Sequence, residues 1–475
     1  MCGIFGAISA KPDPRLPEWV FFGLSQLQHR GQESAGVAYS DGDSVYVEKS
    51  EGLVSHVLTD NKIKEIQERE PKLMIGQTRY STSKGTSSRN IQPQWLDTLR
   101  GKLALVHNGN IPNLEEKKAE LMRISSGQVD ISKNANDTEF MLKKIFFLMT
   151  RNGGNVIEAV KEFMATTTGS YSAALLNKRA VYLFRDPWGN RPLFLGSSKD
   201  VFLFGSETCA LKDHCSQVVH VDPGQVVKIE PEYYNGIGWT GVFGKEIPKE
   251  TPAAHCLFEK IYFARPDSNT FGEEEEGSFR FRLGQKLAQL FPVPSADFVS
   301  CIPESGRPSA EGFAFESHLP TLEIYTRNPF ILGRTFIIPN PGDRAAYSKK
   351  KYHLMKWVLE YAKNKSIVLV DDSIVRGNTM KGKIAQLMKA GAKEVHLRIS
   401  SPPVIGQCFY GLDLPTKEEL VASSRSEEEV RQWLGATSLK YLPINAIDEV
   451  LKEGKDDPKD FCKGCFTGEY PIPFS

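Results

Sequence analysis

In the second half of the chain, short apolar runs alternate with segments whose apolar residues recur at helical spacing. Buried strands are predicted at Phe298–Ile302, Ile367–Val370 and Val395–Ile399, because short aliphatic runs of this kind are typical of strands covered on both faces. Between the second and the third of these predicted strands, apolar residues stand at helical spacing, namely Met380, Ile384, Leu387 and Met388. Gly391 is placed to end that helix. A strand–helix–strand order requires a mainly parallel sheet, so we predict an α/β domain here.

The first half of the chain has a different pattern. Short apolar runs such as Leu103–Val106 predict strands, and Glu139–Thr150 carries its apolar residues on one helical face. These features predict a layered α+β domain. The segment 231–250 is rich in Gly, Pro, Tyr and charged residues, which is typical of a linker or a sheet edge. We therefore predict two domains, at residues 2–235 and 236–475.

The composition excludes several classes of protein. The 475 residues are 40% hydrophobic and 25% charged, which is typical of a globular chain, and 59 basic against 58 acidic residues give a net charge of +1. A protein with so small a net charge lacks the positive electrostatic field that would hold nucleic acid or an anionic membrane. No apolar run reaches the ~18 residues of a spanning helix. The start has no basic segment before an apolar stretch, so we expect no signal peptide and a cytoplasmic location.

The chain opens with a potential nucleophile at Cys2. Removal of Met1 would give Cys2 a free α-amino group, whose pKa near ~8 makes it a usable base beside the thiol. Further polar clusters stand beside predicted strands or helices, at Leu27–Gly36, Gly76–Thr82, His107–Asn110 and Asn136–Glu139. Together they resemble the glutaminase domain of the N-terminal-nucleophile amidotransferases. Gln77 stands where many members have His, and we expect little effect from this departure.

The chemistry of glutamine hydrolysis fits particular residues of these motifs. Cys2 is the expected nucleophile, and Asn108 with the backbone N–H of Gly109 is expected to bind the oxyanion. Arg79 can pair with the α-carboxylate of glutamine, and Asp137 with its α-ammonium group.

A second motif follows the predicted strand Ile367–Val370, which ends in two acidic residues and a polar turn. Backbone N–H groups at such a loop and helix start suit a phosphate. The run resembles the phosphoribosylpyrophosphate-binding motif of type I phosphoribosyltransferases. The resemblance implies that the acidic pair binds the ribose hydroxyls, in part through Mg²⁺, and that the loop holds the 5-phosphate. The implied binding residues are Asp371, Asp372, Ser373, Arg376, Gly377, Asn378 and Thr379.

Two further segments match that family. The loop with Glu304 and Ser305 stands where the family holds pyrophosphate. Arg307 is unusual there, and the sequence leaves open whether it contacts pyrophosphate or lies on the surface. The stretch Gly333–Pro339, followed by basic residues up to Lys351, resembles the mobile loop that closes over pyrophosphate.

Both halves together resemble the glutamine phosphoribosylpyrophosphate amidotransferases over the whole chain. The resemblance implies an N-terminal-nucleophile glutaminase domain, a layered α/β sandwich, followed by a type I phosphoribosyltransferase domain. It implies transfer of the glutamine amide nitrogen to phosphoribosylpyrophosphate, giving 5-phosphoribosylamine, glutamate and pyrophosphate in the first committed step of purine (IMP) biosynthesis. It also implies an internal ammonia channel, a homotetramer and feedback inhibition by purine nucleotides.

Four of the eight cysteines stand in contexts that resemble the iron–sulfur branch of this family. The pair Cys462 and Cys465 alone fits half a zinc site or a redox disulfide equally well. The resemblance extends the set to Cys256 and Cys408 and implies a [4Fe–4S] cluster with a structural role, since four thiolates are its full ligand set. A four-thiolate zinc site is the rival. The cysteines expected to be core residues are Cys209, Cys215 and Cys301.

Two other functions are compatible with parts of the sequence. Another amidotransferase, such as a hexosamine-phosphate synthase or an asparagine synthetase, shares the first domain but lacks the acidic motif at 371–379. A catalytically silent relative could act as a regulator or scaffold. Intact Cys2, Arg79, Asn108 and the Asp371–Asp372 pair argue against that. The absence of a GxxxxGK[ST] loop argues against a P-loop kinase.

Overall fold

The computed structural model describes residues 1–80, 88–132, 135–198, 201–231, 242–243, 251–328 and 352–473. The chain forms two compact units. The first consists of Met1–His255, Phe409–Asp413 and Pro471–Ser475, and the second of Cys256–Cys408 and Leu414–Tyr470. The predicted domain boundary at 235/236 and the predicted mobile loop at 333–351 lie outside the described residues.

The first unit is built mainly of strands. They are β1 (Gly3–Ser9), β2 (Ser34–Ser40), β3 (Val45–Glu51), β4 (Leu73–Arg79), β5 (Gln94–Thr98), β6 (Gly101–Asn110), β7 (Ser170–Leu176), β8 (Val181–Arg185), β9 (Phe194–Ser198), β10 (Val201–Gly205), β11 (Gln217–His220), β12 (Val226–Ile229) and β13 (Val242–Phe243). Its helices are α1 (Leu16–Gln26), α2 (Val54–Val57), α3 (Asp60–Gln67), α4 (Leu114–Ile124), α5 (Asp137–Arg151) and α6 (Val156–Thr166).

These strands form two sheets in a layered sandwich. A seven-stranded sheet has the order β11-β9-β10-β1-β4-β2-β3, and a six-stranded sheet has the order β13-β12-β8-β7-β6-β5. Successive side chains of a strand point to opposite faces. In β1, Ile4 and Ile8 therefore pack into the core between the sheets, whereas Phe5 and Ala7 pack against α1. The outer face of the second sheet carries α4, α5 and α6, so the predicted layered sandwich is confirmed.

The helix predicted at Glu139–Thr150 is observed at Asp137–Arg151. Its start is set by Asn136, whose Oδ1 accepts a hydrogen bond from the Glu139 N–H at 2.7 Å and so satisfies an otherwise unpaired donor of the first turn. Its apolar face packs on the six-stranded sheet. The cap thus places the side chain of Asp137 at the beginning of the helix.

The second unit contains a parallel sheet with helices. Its strands, with the short ribbon that begins at the unit boundary, are β14 (His255–Cys256), β15 (Phe298–Cys301), β16 (Tyr325–Arg327), β17 (Tyr352–Leu354), β18 (Ser366–Asp371), β19 (Glu394–Ile399), β20 (Ser438–Tyr441) and β21 (Phe461–Cys462). Its helices are α7 (Glu276–Leu290), α8 (Arg307–Ser317), α9 (Lys356–Ala362), α10 (Asn378–Lys389), α11 (Glu427–Leu434), α12 (Ile444–Glu453) and α13 (Gly464–Thr467).

The strand order β15-β18-β19-β20 is parallel throughout, which confirms the α/β prediction. Helix α10 ends as the sequence predicts. The Gly391 N–H donates to Met388 O at 3.0 Å and the Ala392 N–H donates to Leu387 O at 3.1 Å, the two bonds of a Schellman motif. Parallel strands direct their carboxyl ends to one sheet edge, where ligands of such sheets bind. No helix in the described parts of the chain has the length and apolar character needed to cross a membrane.

Candidate active sites

Cys2 lies just before β1, in the first unit, and is bound by groups from distant parts of the chain. Its backbone N–H donates to Asn108 Oδ1 at 3.0 Å, and its carbonyl oxygen accepts from Arg30 Nε at 2.9 Å. Its Sγ lies 3.8 Å from the Tyr80 carbonyl oxygen. Cys2 is half-buried. The thiol is therefore held in a defined place while remaining open to a small substrate.

Asn108 and Gly109 lie near the end of β6. The Asn108 Nδ2 group is buried and has no hydrogen-bond partner among the described residues. Such a group is costly unless a ligand satisfies it. At Gly109, φ is +149°, and a Cβ there would lie 1.9 Å from the Ser170 carbonyl oxygen. No larger residue fits at that position, and the unpaired amide of Asn108 remains available as a donor.

Arg79 is next to Tyr80 in the chain, and Asp137 lies near His107, the neighbour of Asn108. Arg79 ends β4, immediately before Tyr80, and its Nη1 is buried without a partner in the described part of the chain. The Asp137 Oδ2 lies 3.9 Å from Nδ1 of His107, the residue before Asn108. Burial lowers the pKa of His107 although the charge of Asp137 raises it. A neutral His107 leaves the Asp137 carboxylate available for a cationic ligand.

Sequence reasoning missed the buried groups that support these residues. Arg30 and Glu207 form a fully buried ion pair beneath the Cys2 carbonyl, and His29 Nε2 lies 2.7 Å from Glu207 Oε1. Gln77 Nε2 donates to the His107 carbonyl oxygen at 2.6 Å and so ties β4 to the strand of Asn108. Arg30 and Gln77 fall within motifs seen in the sequence, but Glu207 is far from them along the chain.

We expect Glu207→Gln to weaken both the fold and the glutaminase reaction. Neutralising Glu207 leaves the buried charge of Arg30 without its counter-charge, which in other proteins costs about 3–5 kcal/mol. The free energy of unfolding of the first unit, measured by urea denaturation, should fall by about 3 kcal/mol. The matched control is Glu158→Gln, which removes an exposed pair with Lys161 and should change stability by less than ~1 kcal/mol. Equal stability of the two variants would contradict this account.

The second candidate site lies at the carboxyl end of β18. Asp371 is the last residue of the strand, and its Oδ1 accepts a hydrogen bond from the Asp372 N–H at 3.0 Å. Ser373 Oγ donates to Asp372 Oδ1 at 2.6 Å. Burial raises the pKa of Asp371 well above its usual value, and the charge of Asp372 raises it further. Two adjacent carboxyl groups in such surroundings favour a bound cation.

The loop after this pair leads directly into α10. Gly377 has φ +75°, and a Cβ there would lie 2.7 Å from the Trp433 ring, so glycine is required by both conformation and space. No side chain of the described residues caps the helix start. The N–H groups of the first turn, which includes Asn378 and Thr379, are therefore suited to an anion. The Arg376 guanidinium instead pairs with Glu419, with Nε 3.2 Å from Oε1.

The loop at 303–306 lies directly against the end of β18. A Cβ at Gly306 would be 2.9 Å from the Val370 carbonyl oxygen and 3.1 Å from the Asp371 Cα. The structure thus brings the segment of Glu304 and Ser305 beside the acidic pair at one edge of the parallel sheet.

The four cysteines assigned to a cluster lie in the second unit. Burial raises the pKa of the Cys465 thiol well above its usual value, and the neighbouring Cys256, Cys408 and Cys462 raise it further. The backbone N–H groups of Ile405 and Gly406 donate to the Cys465 carbonyl oxygen, at 2.9 Å and 3.0 Å. The chain before Cys408 is thus tied to the chain around Cys465. Of the three cysteines expected in cores, Cys209 and Cys301 are buried and Cys215 is half-buried.

Comparison with known proteins assigns a family. A family model for a glutamine amidotransferase domain matches residues 77–213. The chain is 35% identical to the amidophosphoribosyltransferase of Rattus norvegicus, with 99% of this chain and 97% of the relative covered. It is 36% identical to the amidophosphoribosyltransferase of Methanocaldococcus jannaschii, with 99% and 98% covered.

Solved structures give the same result. The glutamine phosphoribosylpyrophosphate amidotransferase of B. subtilis, complexed with ADP and GMP, is similar with a TM-score of 0.85 and 34% identity, over 100% of this chain and 98% of the other. A structure described as the allosteric regulatory enzyme of purine biosynthesis has the same TM-score and identity. This likeness along the whole length of the chain and of its relatives shows that the chain belongs to the amidophosphoribosyltransferase family.

Proposed function

We propose that this enzyme transfers the amide nitrogen of glutamine to phosphoribosylpyrophosphate, giving 5-phosphoribosylamine, glutamate and pyrophosphate at the start of purine synthesis. The observation that carries this function is that one chain combines the Cys2 site with the strand-end acidic pair Asp371 and Asp372. The chain matches relatives named amidophosphoribosyltransferase over nearly their whole length. This match disfavours both another kind of amidotransferase and a catalytically silent scaffold. Release of pyrophosphate that depends on glutamine tests the assignment.

In the proposed glutaminase half-reaction, the Cys2 thiolate attacks the amide carbon of glutamine. Once Met1 is removed, the Cys2 amine takes the thiol proton, and Asn108 Oδ1 is already placed to hold that nitrogen. Asn108 Nδ2 and the Gly109 N–H receive the oxyanion, a contribution of roughly 3–4 kcal/mol per donor elsewhere. Ammonia leaves, and water then hydrolyses the thioester to glutamate.

Substrate orientation is assigned to two charged residues. The unpartnered Nη1 of Arg79 supports pairing with the α-carboxylate of glutamine, because a buried guanidinium donor needs an acceptor. Asp137 is assigned to the α-ammonium group. These contacts would hold the amide of glutamine against the thiol.

The proposed synthase half-reaction occurs at the edge of the parallel sheet. Ammonia attacks carbon 1 of the ribose and pyrophosphate leaves. The loop Ser373–Thr379 would bind the 5-phosphate through N–H groups at the start of α10. Asp371 and Asp372 would bind the ribose hydroxyls and Mg²⁺, because carboxylate oxygens are the ligands that this ion prefers. Bound Mg²⁺ supplies charge that offsets the developing pyrophosphate anion.

We propose that Cys256, Cys408, Cys462 and Cys465 hold a [4Fe–4S] cluster. Burial raises the pKa of the Cys465 thiol, and the nearby Cys256, Cys408 and Cys462 raise it further. A group of neighbouring thiols fits a cofactor that binds thiolates, since coordination removes their protons. Among the described residues, no three His, Cys, Asp or Glu side chains converge closely enough for a single metal ion. A zinc site would need all four sulfurs at about 2.3 Å from one ion. We favour the cluster over zinc because the four cysteines stand in sequence contexts that resemble the iron–sulfur branch of the family. The cluster would fix the tail around Cys465 without taking part in catalysis.

Iron and sulfide analysis tests this site. Protein purified without oxygen should contain roughly four iron and four sulfide per chain. Replacing Cys462 with Ser should remove most of both, whereas Cys301→Ser should change neither, because Cys301 is a buried residue of the parallel sheet. One zinc per chain without sulfide would overturn the proposal.

We also propose a cytoplasmic homotetramer that is inhibited by purine nucleotides. The support is the family resemblance, together with the ADP and GMP in the structure of the B. subtilis relative. Light scattering on the purified enzyme and inhibition assays with adenine and guanine nucleotides test both statements. A monomer, or an enzyme insensitive to every purine nucleotide, would contradict them.

A further inference from the structure

Arg307 is the residue of the 303–308 loop whose role the sequence leaves open. It begins α8, and its guanidinium is bound by two carboxylates. Nη2 lies 2.6 Å from Glu323 Oε1, and Nη1 lies 3.6 Å from Glu304 Oε2. Its Nε is buried and has no hydrogen-bond partner among the described residues. Arg307 is therefore not a free surface cation, but its guanidinium still has a hydrogen-bond donor that could bind a ligand.

This ion group lies close to the acidic pair of the phosphoribosyl site. The loop contacts the end of β18 through Gly306, which lies against the backbone of Val370 and Asp371. The charges of Arg307, Glu323 and Asp371 all act on the buried thiol of Cys301, the last residue of β15. Arg307 follows Gly306 directly, and Gly306 approaches the Asp371 backbone, so Arg307 begins its helix beside the carboxyl end of β18.

The ion pairs of Arg307 contribute little to the stability of the fold. The side chains of Arg307, Glu323 and Glu304 are 41%, 49% and 50% exposed, and pairs with this exposure contribute about 0–1 kcal/mol. A planar guanidinium binds two oxygens of a phosphate group at once. A pyrophosphate would therefore be a stronger partner for Arg307 than either half-exposed carboxylate.

We propose that Arg307 binds the pyrophosphate group of phosphoribosylpyrophosphate and that Glu323 holds its guanidinium when the site is empty. This inference rests on the proposed function, because it takes the 303–306 loop as the pyrophosphate site. Glu323 then competes with the ligand for the same guanidinium. Arg307 consequently helps to set the affinity for both the substrate and the pyrophosphate product.

Competition between ligand and carboxylate separates this role from a structural one. If Arg307 contacts pyrophosphate, removing Arg307 weakens binding and removing the charge of Glu323 strengthens it. If the ion pair only holds the loop in shape, both changes weaken binding. Removing Arg307 and neutralising Glu323 therefore change pyrophosphate affinity in opposite directions if Arg307 binds the ligand. They change it in the same direction if the ion pair only supports the loop.

The experiment measures inhibition of the ammonia-dependent reaction by magnesium pyrophosphate. Arg307→Ala should raise the inhibition constant and the KM for phosphoribosylpyrophosphate about tenfold, the size of one charge-assisted hydrogen bond. Arg307→Lys should have an intermediate effect, and Glu323→Gln should lower the inhibition constant about threefold. The control Lys286→Ala removes a comparably exposed pair with Glu449 and should change neither constant. Circular dichroism and thermal unfolding of each variant report whether the second unit is folded, because these three residues belong to that unit.

Asp371→Asn separates failure of this inference from failure of the site. If Asp371→Asn weakens pyrophosphate binding and Arg307→Ala does not, the site stands and Arg307 has no part in it. Weaker binding in both Arg307→Ala and Glu323→Gln would also overturn the proposal, since the pair would then act through loop structure. If none of these variants changes pyrophosphate binding, both the assigned site and the role of Arg307 are wrong.

Discussion

Replacing Cys2 with Ala will abolish the use of glutamine and leave synthesis from ammonia intact. The thiol is the proposed nucleophile of the first half-reaction and has no part in the second, and the Cys2 backbone N–H is bound to Asn108 Oδ1 in the glutaminase site. Ammonia supplied in solution bypasses that step and reacts at the second site. We expect glutamine-dependent product formation to fall at least about a thousandfold, with the ammonia-dependent rate within about twofold of the unmodified enzyme.

The control for this experiment is Cys215→Ala in the same unit. Cys215 is half-buried against the core, and burial raises the pKa of its thiol to about 11, so it is a poor nucleophile at neutral pH. This variant should use glutamine normally. If Cys2→Ala retains full activity with glutamine, the N-terminal-nucleophile mechanism is wrong.

Replacing both Asp371 and Asp372 with Asn will remove synthesis from either nitrogen source. The change removes two negative charges from the ribose and Mg²⁺ site but keeps the size of the side chains. We expect the ammonia-dependent rate to fall at least about a hundredfold, as is typical when metal-assisted charge control is lost. Glutamine hydrolysis should persist, because Cys2 belongs to the other unit of the chain.

Asp297→Asn is the matched control for the acidic pair. Asp297 precedes β15, at the opposite end of the parallel sheet from Asp371, and pairs with Lys365 at 2.9 Å. Its loss should leave synthesis unchanged. Ammonia-dependent synthesis by the Asp371/Asp372 double variant at the normal rate would refute the assigned phosphoribosyl site.

Much of the fold was predictable because local patterns determine it. The strand predicted at Ile367–Val370 is observed at Ser366–Asp371, and the helix after it ends at the predicted glycine. The apolar period and turn residues specify such elements directly. The acidic pair was predictable for the same reason, since its position at a strand end places it at the ligand-binding edge of a parallel sheet.

The supports of the glutaminase site were not predictable in this way. Glu207 reaches Arg30 across more than half of the first unit's sequence, and no periodicity links the two residues. Gln77, which stands where many relatives of the glutaminase domain have His, is buried and bonds to the strand of Asn108, a contact that no sequence pattern indicated. The segment Phe409–Asp413 belongs to the first unit, where the Phe409 carbonyl oxygen accepts from Asn110 Nδ2 at 2.8 Å. Such long-range polar contacts depend on the assembled fold.

The most direct test of the central claim is to measure two products in one assay. These are the pyrophosphate released from phosphoribosylpyrophosphate and the glutamate formed from glutamine. The account predicts that the purified enzyme with Mg²⁺ releases one pyrophosphate for each glutamate when both substrates are present. It predicts that ammonia replaces glutamine in the unmodified enzyme and in Cys2→Ala. Glutamine hydrolysis without any release of pyrophosphate, with either nitrogen source, would contradict it.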